Sequence, residues 1–521
     1  MPDTTLIDAL LNPAIYDHPV GEIRMVETHI SWIILTGDYA YKIKKPVDLG
    51  FLDFSSLEKR HHYCQQELEL NRRLAPELYL DVIAITGSAA QPQLNGTGKV
   101  FEYAVKMRQF DPDKQLDKLL QRNALTTEQI DQLADTIAAF HQRVERASDN
   151  SPFGTVDVVW QPIQENFDQV GVRIEDTSDV ARLERLLQWS QQSFKQLKQV
   201  ISARKRDGFV RNCHGDMHLA NITLIDDKVT VFDCIEFNDN FRWIDVISEV
   251  AFTTMDLIDR RKPDFAARLL DRYLQRTGDY AGLVLLQFYQ VYRALVRAKV
   301  AIIRHSQGGL SAAESQMSLQ QFREYCQLAE SFTESKPATL YIAHGVSGSG
   351  KTTFTQPLLE RYGMIRLRSD VERKRLFGLT AEQKSRSDTG TGIYTPSASE
   401  QTYQRLRELA RHILQAGYST IVDATFLKRE QRHFFHELAN ELNVPFVILH
   451  FHADEMLLRQ WVNERMVAAR DASEATIEVL EHQLKSEEPL TQEEADRIIS
   501  IDSGRNDAVE KLIEAVNANC Q

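Results

Sequence analysis

Two groups of residues in this chain have the types and spacing that phosphate chemistry needs. The first is Gly345-Val346-Ser347-Gly348-Ser349-Gly350-Lys351-Thr352, which satisfies G-x4-G-K-[ST] in full. Glycines at these places let successive backbone N–H groups wrap phosphate oxygens, and the helix that follows adds partial positive charge. In such a loop Lys351 reaches the β- and γ-phosphates and the Thr352 hydroxyl ligates Mg²⁺, with Thr353 completing the nucleotide-binding run. Downstream, Thr420-Ile421-Val422-Asp423 is an apolar run ending in an acid, where a second Mg²⁺ ligand is expected. Between the two, Arg368-Ser369-Asp370-Val371-Glu372-Arg373 places Asp370 at the end of another strand-like run. There its carboxylate can take a proton from a hydroxyl, and Arg373, three residues on, can anchor an anion. The plainer role for Asp370 is to cap a helix. Arg459, Arg465 and Arg470 read either as a lid that neutralises a transferring phosphoryl group or as a solvated helix.

The second group is His214-Gly215-Asp216, His218, Asn221 and, after a short hairpin turning at Asp226-Asp227-Lys228, Asp233. Asp216 and Asn221 share one tight loop. The arrangement can supply one carboxylate as base and an Asn/Asp pair for Mg²⁺. The rival is a metallohydrolase built on His214-x-Asp216-x-His218. No further His/Asp cluster follows to complete a two-metal shell, and the Asn221–Asp233 spacing favours phosphoryl transfer.

These residues need elements to position them. HISWIIL and YAYKIK flank Thr36-Gly37-Asp38, a hairpin signal, and SSLEKRHHYCQQELELNRRL is a helix. LYLDVIAI and KVFEYAVKM follow, joined by a Gly/Gln/Asn-rich link, so the first ~110 residues predict an antiparallel sheet with one inserted helix. Residues 116–206 are mostly helical, one helix opening with a Thr126/Gln129 capping box. Short strands at 210–235 and long helices over 243–334 come next. SFTESKPATL reads as a linker. Beyond it the strands LYIAH, MIRLR, STIVDAT and PFVILHF alternate with helices, which predicts a parallel sheet. The expected domains are 1–335 and 336–521.

The 521 residues are 43% hydrophobic and 26% charged, an ordinary globular composition. The net charge of −13, with neither half basic, makes nucleic acid an unlikely partner. The chain lacks a run of about 18 apolar residues and a signal-peptide pattern at its start, so no membrane partner and a cytoplasmic location are expected. Five cysteines without CxxC spacing exclude a disulfide framework or zinc knuckle, and Cys213 and Cys234 read as packing residues.

On H-G-D-x-H-x-x-N and the strand-terminal Asp233, residues about 20–330 resemble an aminoglycoside-phosphotransferase-type, protein-kinase-like domain. The resemblance implies an α+β bilobal fold, Asp216 as catalytic base, and Asn221 and Asp233 on Mg²⁺. It implies an ATP lysine at Lys42 or Lys44, with Lys42 closer to the family's Ala-x-Lys pattern, paired with Glu67 rather than Glu69. It also implies an adenine-facing hinge at Tyr103–Met107 and a brace for the catalytic loop at Asp245. Thr36-Gly37-Asp38 stands where the family has a Gly-rich loop, and Cys234-Ile235-Glu236 follows Asp233 in place of Phe-Gly. Residues about 338–515 resemble the small P-loop kinases that include polynucleotide 5′-kinases, zeta-toxin-like and gluconate-type kinases, an α/β fold with a parallel sheet. Together the halves resemble bacterial two-domain proteins. The implied activity is ATP- and Mg²⁺-dependent phosphoryl transfer at two sites to a small-molecule hydroxyl. The alternatives are a P-loop ATPase switch acting on the first domain and a nucleic-acid 5′-hydroxyl kinase.

Overall fold

The structure, a computed structural model, describes residues 5–50, 52–307, 309–334, 337–385, 387, 391–468 and 473–519. The chain forms two compact units. One comprises 1–256 and 292–323, the other 257–291 and 324–521.

In the first unit six antiparallel strands, β1 (Arg24–Glu27), β2 (Ser31–Leu35), β3 (Tyr39–Lys44), β4 (Tyr79–Ser88), β5 (Gln91–Leu94) and β6 (Val100–Arg108), lie in the order β1-β2-β3-β6-β4-β5. The Thr36-Gly37-Asp38 turn closes the β2–β3 hairpin. Gly37 takes a φ of +106°, and the Thr36 hydroxyl donates to the Tyr39 carbonyl at 2.8 Å. The resulting register pairs Ile33 with Lys42 and Ser31 with Lys44. The Gly/Gln/Asn-rich link between β4 and β6 is itself partly strand, as β5. Helix Leu57–Arg72 starts at a Ser56 cap and buries Cys64, Glu67, Leu68 and Asn71, spaced as one helical face requires. Tyr103–Met107, the expected hinge, lies inside β6, paired with β3 on one side and β4 on the other. Its backbone groups are spent on the sheet, so it cannot serve as a hinge.

The predicted helices follow. In helix Thr127–Arg143 both bonds of the Thr126/Gln129 capping box form. Strand β7 (Val210–Asn212) leads into the His214 loop. Strands β8 (Ile222–Ile225) and β9 (Lys228–Val231) then turn through Asp226 and Asp227, both at positive φ as a two-residue hairpin turn demands. Strand β10 (Trp243–Asp245) pairs with β7.

The second unit holds five parallel strands, β11 (Leu340–His344), β12 (Ile365–Arg368), β13 (Thr420–Asp423), β14 (Phe446–His452) and β15 (Ile498–Asp502), ordered β12-β13-β11-β14-β15. The central strand β11 is buried along its whole length. Its Tyr341 and Ala343 pack with Leu358, Leu359, Ile421, Leu449 and Leu512. The expected boundary at 335/336 falls on residues outside those described, and residues 257–291 depart from it. Helix Pro263–Thr277 buries Ala266, Leu269, Leu270 and Leu274 within this second unit, and Arg268 meets Glu360 of helix Lys351–Tyr362 at 2.8 Å.

Candidate functional site

In the first unit two lysines share one glutamate. Lys42 and Lys44 lie two apart on β3 and point to one face. Lys42 Nζ meets Glu67 Oε1 at 2.7 Å and Asp233 Oδ1 at 2.6 Å. Lys44 Nζ meets Glu67 Oε2 at 2.6 Å and also pairs with Glu236. Glu67 is fully buried and Glu69 exposed. Burial opposes charge on Glu67, but Lys42 and Lys44 outweigh it and hold the carboxyl at about 2. Burial also works against the Lys42 ammonium, which Asp233 and Glu67 nevertheless hold well above its ordinary value. Lys42 is therefore the lysine that reaches the expected metal-binding aspartate, and Lys44 holds the residue three places after it.

The loops carrying Asp216, Asn221 and Asp233 are stitched together by backbone. Phe232 N–H donates to Asn221 O at 2.9 Å, and Ile235 N–H donates to His214 O at 3.1 Å. Asp233 takes a φ of +64°, and its N–H donates to the Tyr79 hydroxyl at 3.1 Å. Asn221 Nδ2 donates to Asp216 O at 3.0 Å and to Asp216 Oδ2 at 3.1 Å, leaving its own Oδ1 for a cation. Burial raises the Asp216 carboxyl, but His218, 3.4 Å away, outweighs it, and the group lies well below the carboxylate range. Asp216 is thus ionised at neutral pH. Gly215 has a φ of +91°, and a Cβ there would stand 2.7 Å from the Phe241 carbonyl oxygen.

Asp245 does not bind this loop. It pairs with Arg204 at 2.7 and 2.9 Å and accepts from Ile247 N–H. The brace is Glu249, which sequence reading missed. Its Oε1 accepts from His214 N–H at 2.8 Å and Gly215 N–H at 2.6 Å, and its Oε2 faces His141 Nε2 at 2.9 Å. Nothing in local spacing marks a carboxylate so far along the chain. Cys213 and Cys234 are buried, and burial pushes the Cys234 thiol up to about 12, which suits packing and not nucleophilic attack.

In the second unit the loop leaves β11 at Gly345, whose φ is +141° and where a Cβ would run into the Phe451 carbonyl oxygen. Lys351 Nζ donates to Gly345 O and Val346 O, each at 2.8 Å, and Ser347 N–H donates to Gln483 Oε1 at 2.7 Å. The Ser349 hydroxyl is buried and has no hydrogen-bond partner among the described residues. Thr352 Oγ1 donates to Asp423 Oδ2 at 2.6 Å. This pair and the Asn221/Asp233 pair offer the hard oxygen donors that Mg²⁺ prefers.

A cavity of about 1340 Å³ opens on Ser347, Gly348, Gly350, Lys351, Thr352 and Thr353, and its far walls include Arg368, Asp370, Arg373, Tyr394, Asp423 and Arg465. Asp370 lies in the first turn of helix Ser369–Leu376, whose N-cap is Arg368, so Asp370 is not the cap. Arg373 Nη1 donates to Ile393 O at 3.1 Å and Ser399 Oγ at 3.2 Å, while its buried Nε has no partner among the described residues. Of the lid arginines, Arg465 lines the cavity, Arg459 is tied to Glu455 and Glu481 on the surface, and Arg470 lies outside the described residues.

Residues 51–286 match the model of the phosphotransferase enzyme family, and residues 340–490 match that of an AAA domain. An uncharacterized protein of Mycobacterium tuberculosis is 29% identical over 435 residues, covering 83% of both chains. A choline/ethanolamine kinase family protein from Mesorhizobium loti is 10% identical, with a TM-score of 0.36 over 63% of this chain and 99% of that one. A sugar kinase from Janibacter is 23% identical, with a TM-score of 0.27 over 35% of this chain and 94% of that one.

Two outcomes follow from this geometry. Glu249→Ala leaves the buried N–H groups of His214 and Gly215 without their acceptor, at a cost of about 1–3 kcal/mol each, whereas Glu249→Gln keeps an acceptor oxygen. Chemical denaturation should rank wild type above Gln above Ala, and an Ala variant as stable as wild type contradicts the brace. The second outcome concerns Lys351, whose burial lowers its pKa from 10.5 to about 8. Phosphate oxygens favour the ammonium, so the bound pKa rises and ATP affinity falls as pH climbs from about 8 toward 10.5. Calorimetry at a pH of about 9, in buffers of different ionisation enthalpy, should find about one proton taken up at this site. No uptake contradicts the lowered value.

Proposed function

We propose that this ATP-dependent kinase, a phosphotransferase-family domain joined to a P-loop domain, uses ATP at two places. At each it passes the γ-phosphoryl group to a hydroxyl of a small molecule such as a sugar, amino sugar or nucleoside. The observation that carries the reading is the single cavity that holds Lys351, Thr352 and Asp423 together with Asp370 and Arg373. A nucleotide switch needs the first three residues only.

In the second unit the backbone N–H groups of Gly345–Thr353 cradle the phosphates, and Lys351 exchanges its two carbonyl partners for phosphate oxygens. Asp370 takes the acceptor's hydroxyl proton, and the unpartnered Nε of Arg373 is available to an anionic part of the acceptor. In the first unit Lys42, oriented by Glu67, contacts phosphate, and ionised Asp216 aligns the acceptor hydroxyl and takes its proton. Thr352 with Asp423, and Asn221 with Asp233, would hold Mg²⁺, which offsets phosphate charge during transfer.

The test is a screen of hydroxyl metabolites for ATP-dependent phosphorylation with wild type, Asp216→Asn and Asp370→Asn. Each variant should lose one activity by on the order of 10²–10⁴-fold while keeping ATP affinity. Arg373→Ala should chiefly raise the acceptor KM. Basal hydrolysis as the only activity, unchanged in Asp370→Asn, contradicts the kinase assignment of the second unit and favours the switch.

A further inference from the structure

Arg366 on β12 is a buried cation, 5% exposed, whose guanidinium reaches the first turns of the P-loop helix. Its Nη1 donates to the Thr352 carbonyl at 2.8 Å and to Thr355 Oγ1 at 3.4 Å, and its Nη2 donates to Gln356 Oε1 at 2.8 Å. The carboxylate that meets it is Asp271, 3% exposed, on helix Pro263–Thr277. Asp271 Oδ1 accepts the Arg366 backbone N–H at 3.1 Å, and Oδ2 faces Nη2 at 3.4 Å. Gln275 Nε2 donates to the same Oδ2 at 2.6 Å, fixing the carboxylate's rotation. Thr352 is therefore held from two directions, its hydroxyl by Asp423 and its carbonyl by Arg366.

We propose that Asp271 is a positioning residue for the P-loop site. It neutralises and orients Arg366, which fixes the first helical turn so that the Thr352 hydroxyl faces Asp423. Asp271 lies outside the 340–490 stretch that matches the AAA domain and inside the 51–286 stretch that matches the phosphotransferase family. The P-loop site thus borrows a supporting residue from sequence that belongs, by family, to the other domain. A buried ion pair is weak support for stability but strong support for geometry, because removing one member strands the other. Outer partners of metal-binding groups typically alter metal affinity by about 10–100-fold.

The inference rests on the reading that Thr352 and Asp423 hold Mg²⁺. Its test is calorimetric binding of a non-hydrolysable ATP analogue to the full chain, with Mg²⁺ and with EDTA. The P-loop site is the one lost in Lys351→Ala. Asp271→Asn keeps an acceptor for the backbone N–H but drops the charge. Arg366→Lys keeps the charge but drops the fork. Both should weaken binding in Mg²⁺ about tenfold and binding in EDTA by less than about twofold. Arg268→Gln, which breaks the ion pair of the same helix with Glu360 of the P-loop helix, should leave both affinities unchanged. Unaltered Mg²⁺-dependent affinity in Asp271→Asn or Arg366→Lys overturns the proposal, as does an equal loss in Arg268→Gln, which would reduce Asp271 to packing. If Lys351→Ala removes no site, the P-loop reading itself fails, and Asp271 with it.

Discussion

A buried ammonium must find negative charge or lose its hold on its proton, and this constraint organises both units. Lys42 and Lys44 are buried against three carboxylates, Glu67, Asp233 and Glu236, and the segment that carries Asp233 and Glu236 is fastened to β3 and helix Leu57–Arg72 by that charge cluster. Lys351 donates to the carbonyl oxygens of Gly345 and Val346, and burial, outweighing the nearby Asp423 and Asp370, draws it down to about 8. The first arrangement is satisfied as it stands. In the second, the positive charge is poorly compensated until phosphate arrives, so much of the electrostatic gain of Lys351 is realised on binding.

The same accounting of buried polar groups explains the surrounding architecture. The His214 loop has few ladder bonds of its own, so Glu249 takes two of its N–H groups and Asp256 Oδ2 accepts a third from Leu219 at 2.8 Å. Arg293 closes the set by donating to Gly215 O at 3.0 Å. A loop held at so many points keeps Asp216 and Asn221 in fixed relation, which orientation-dependent chemistry requires. In the second unit, parallel pairing aligns β12, β13 and β11, so Arg368 sits beside Asp423 and Ala343 beside Asp423 on the other edge. The strand ends bring Ser369-Asp370 toward the P-loop, and the Arg366 side chain on β12 ties that strand to the Thr352 carbonyl.

What the sequence made legible was chemistry carried by contiguous residues. The loop at 345–352, the H-G-D-x-H-x-x-N run, the hairpin around Gly37 and the Thr126/Gln129 cap each encode their geometry locally. What it hid were partners fixed only by tertiary packing. Glu249 and Asp271 look like ordinary helix acids, and Glu236 looks like a residue that merely follows Asp233. The Tyr103–Met107 hinge failed because a β-rich run does not say which part of it is paired. The choice between Lys42 and Lys44 was unreadable for a related reason: two residues apart on a strand, they share a face, and only the positions of Asp233 and Glu236 tell them apart. Residues 257–291 group by contact with the second unit, while the family match that runs to residue 286 joins most of them to the first, a division that order along the chain does not show.

The central claim is that two separate chemistries for holding ATP coexist in one chain. Counting nucleotide sites tests it most directly. Equilibrium binding of a non-hydrolysable ATP analogue to the intact protein should give two sites per chain, with one remaining in Lys351→Ala and the other remaining in Asp233→Ala. A single site per chain, abolished entirely by Lys351→Ala, would contradict the account and leave the first unit as a phosphotransferase fold without its nucleotide.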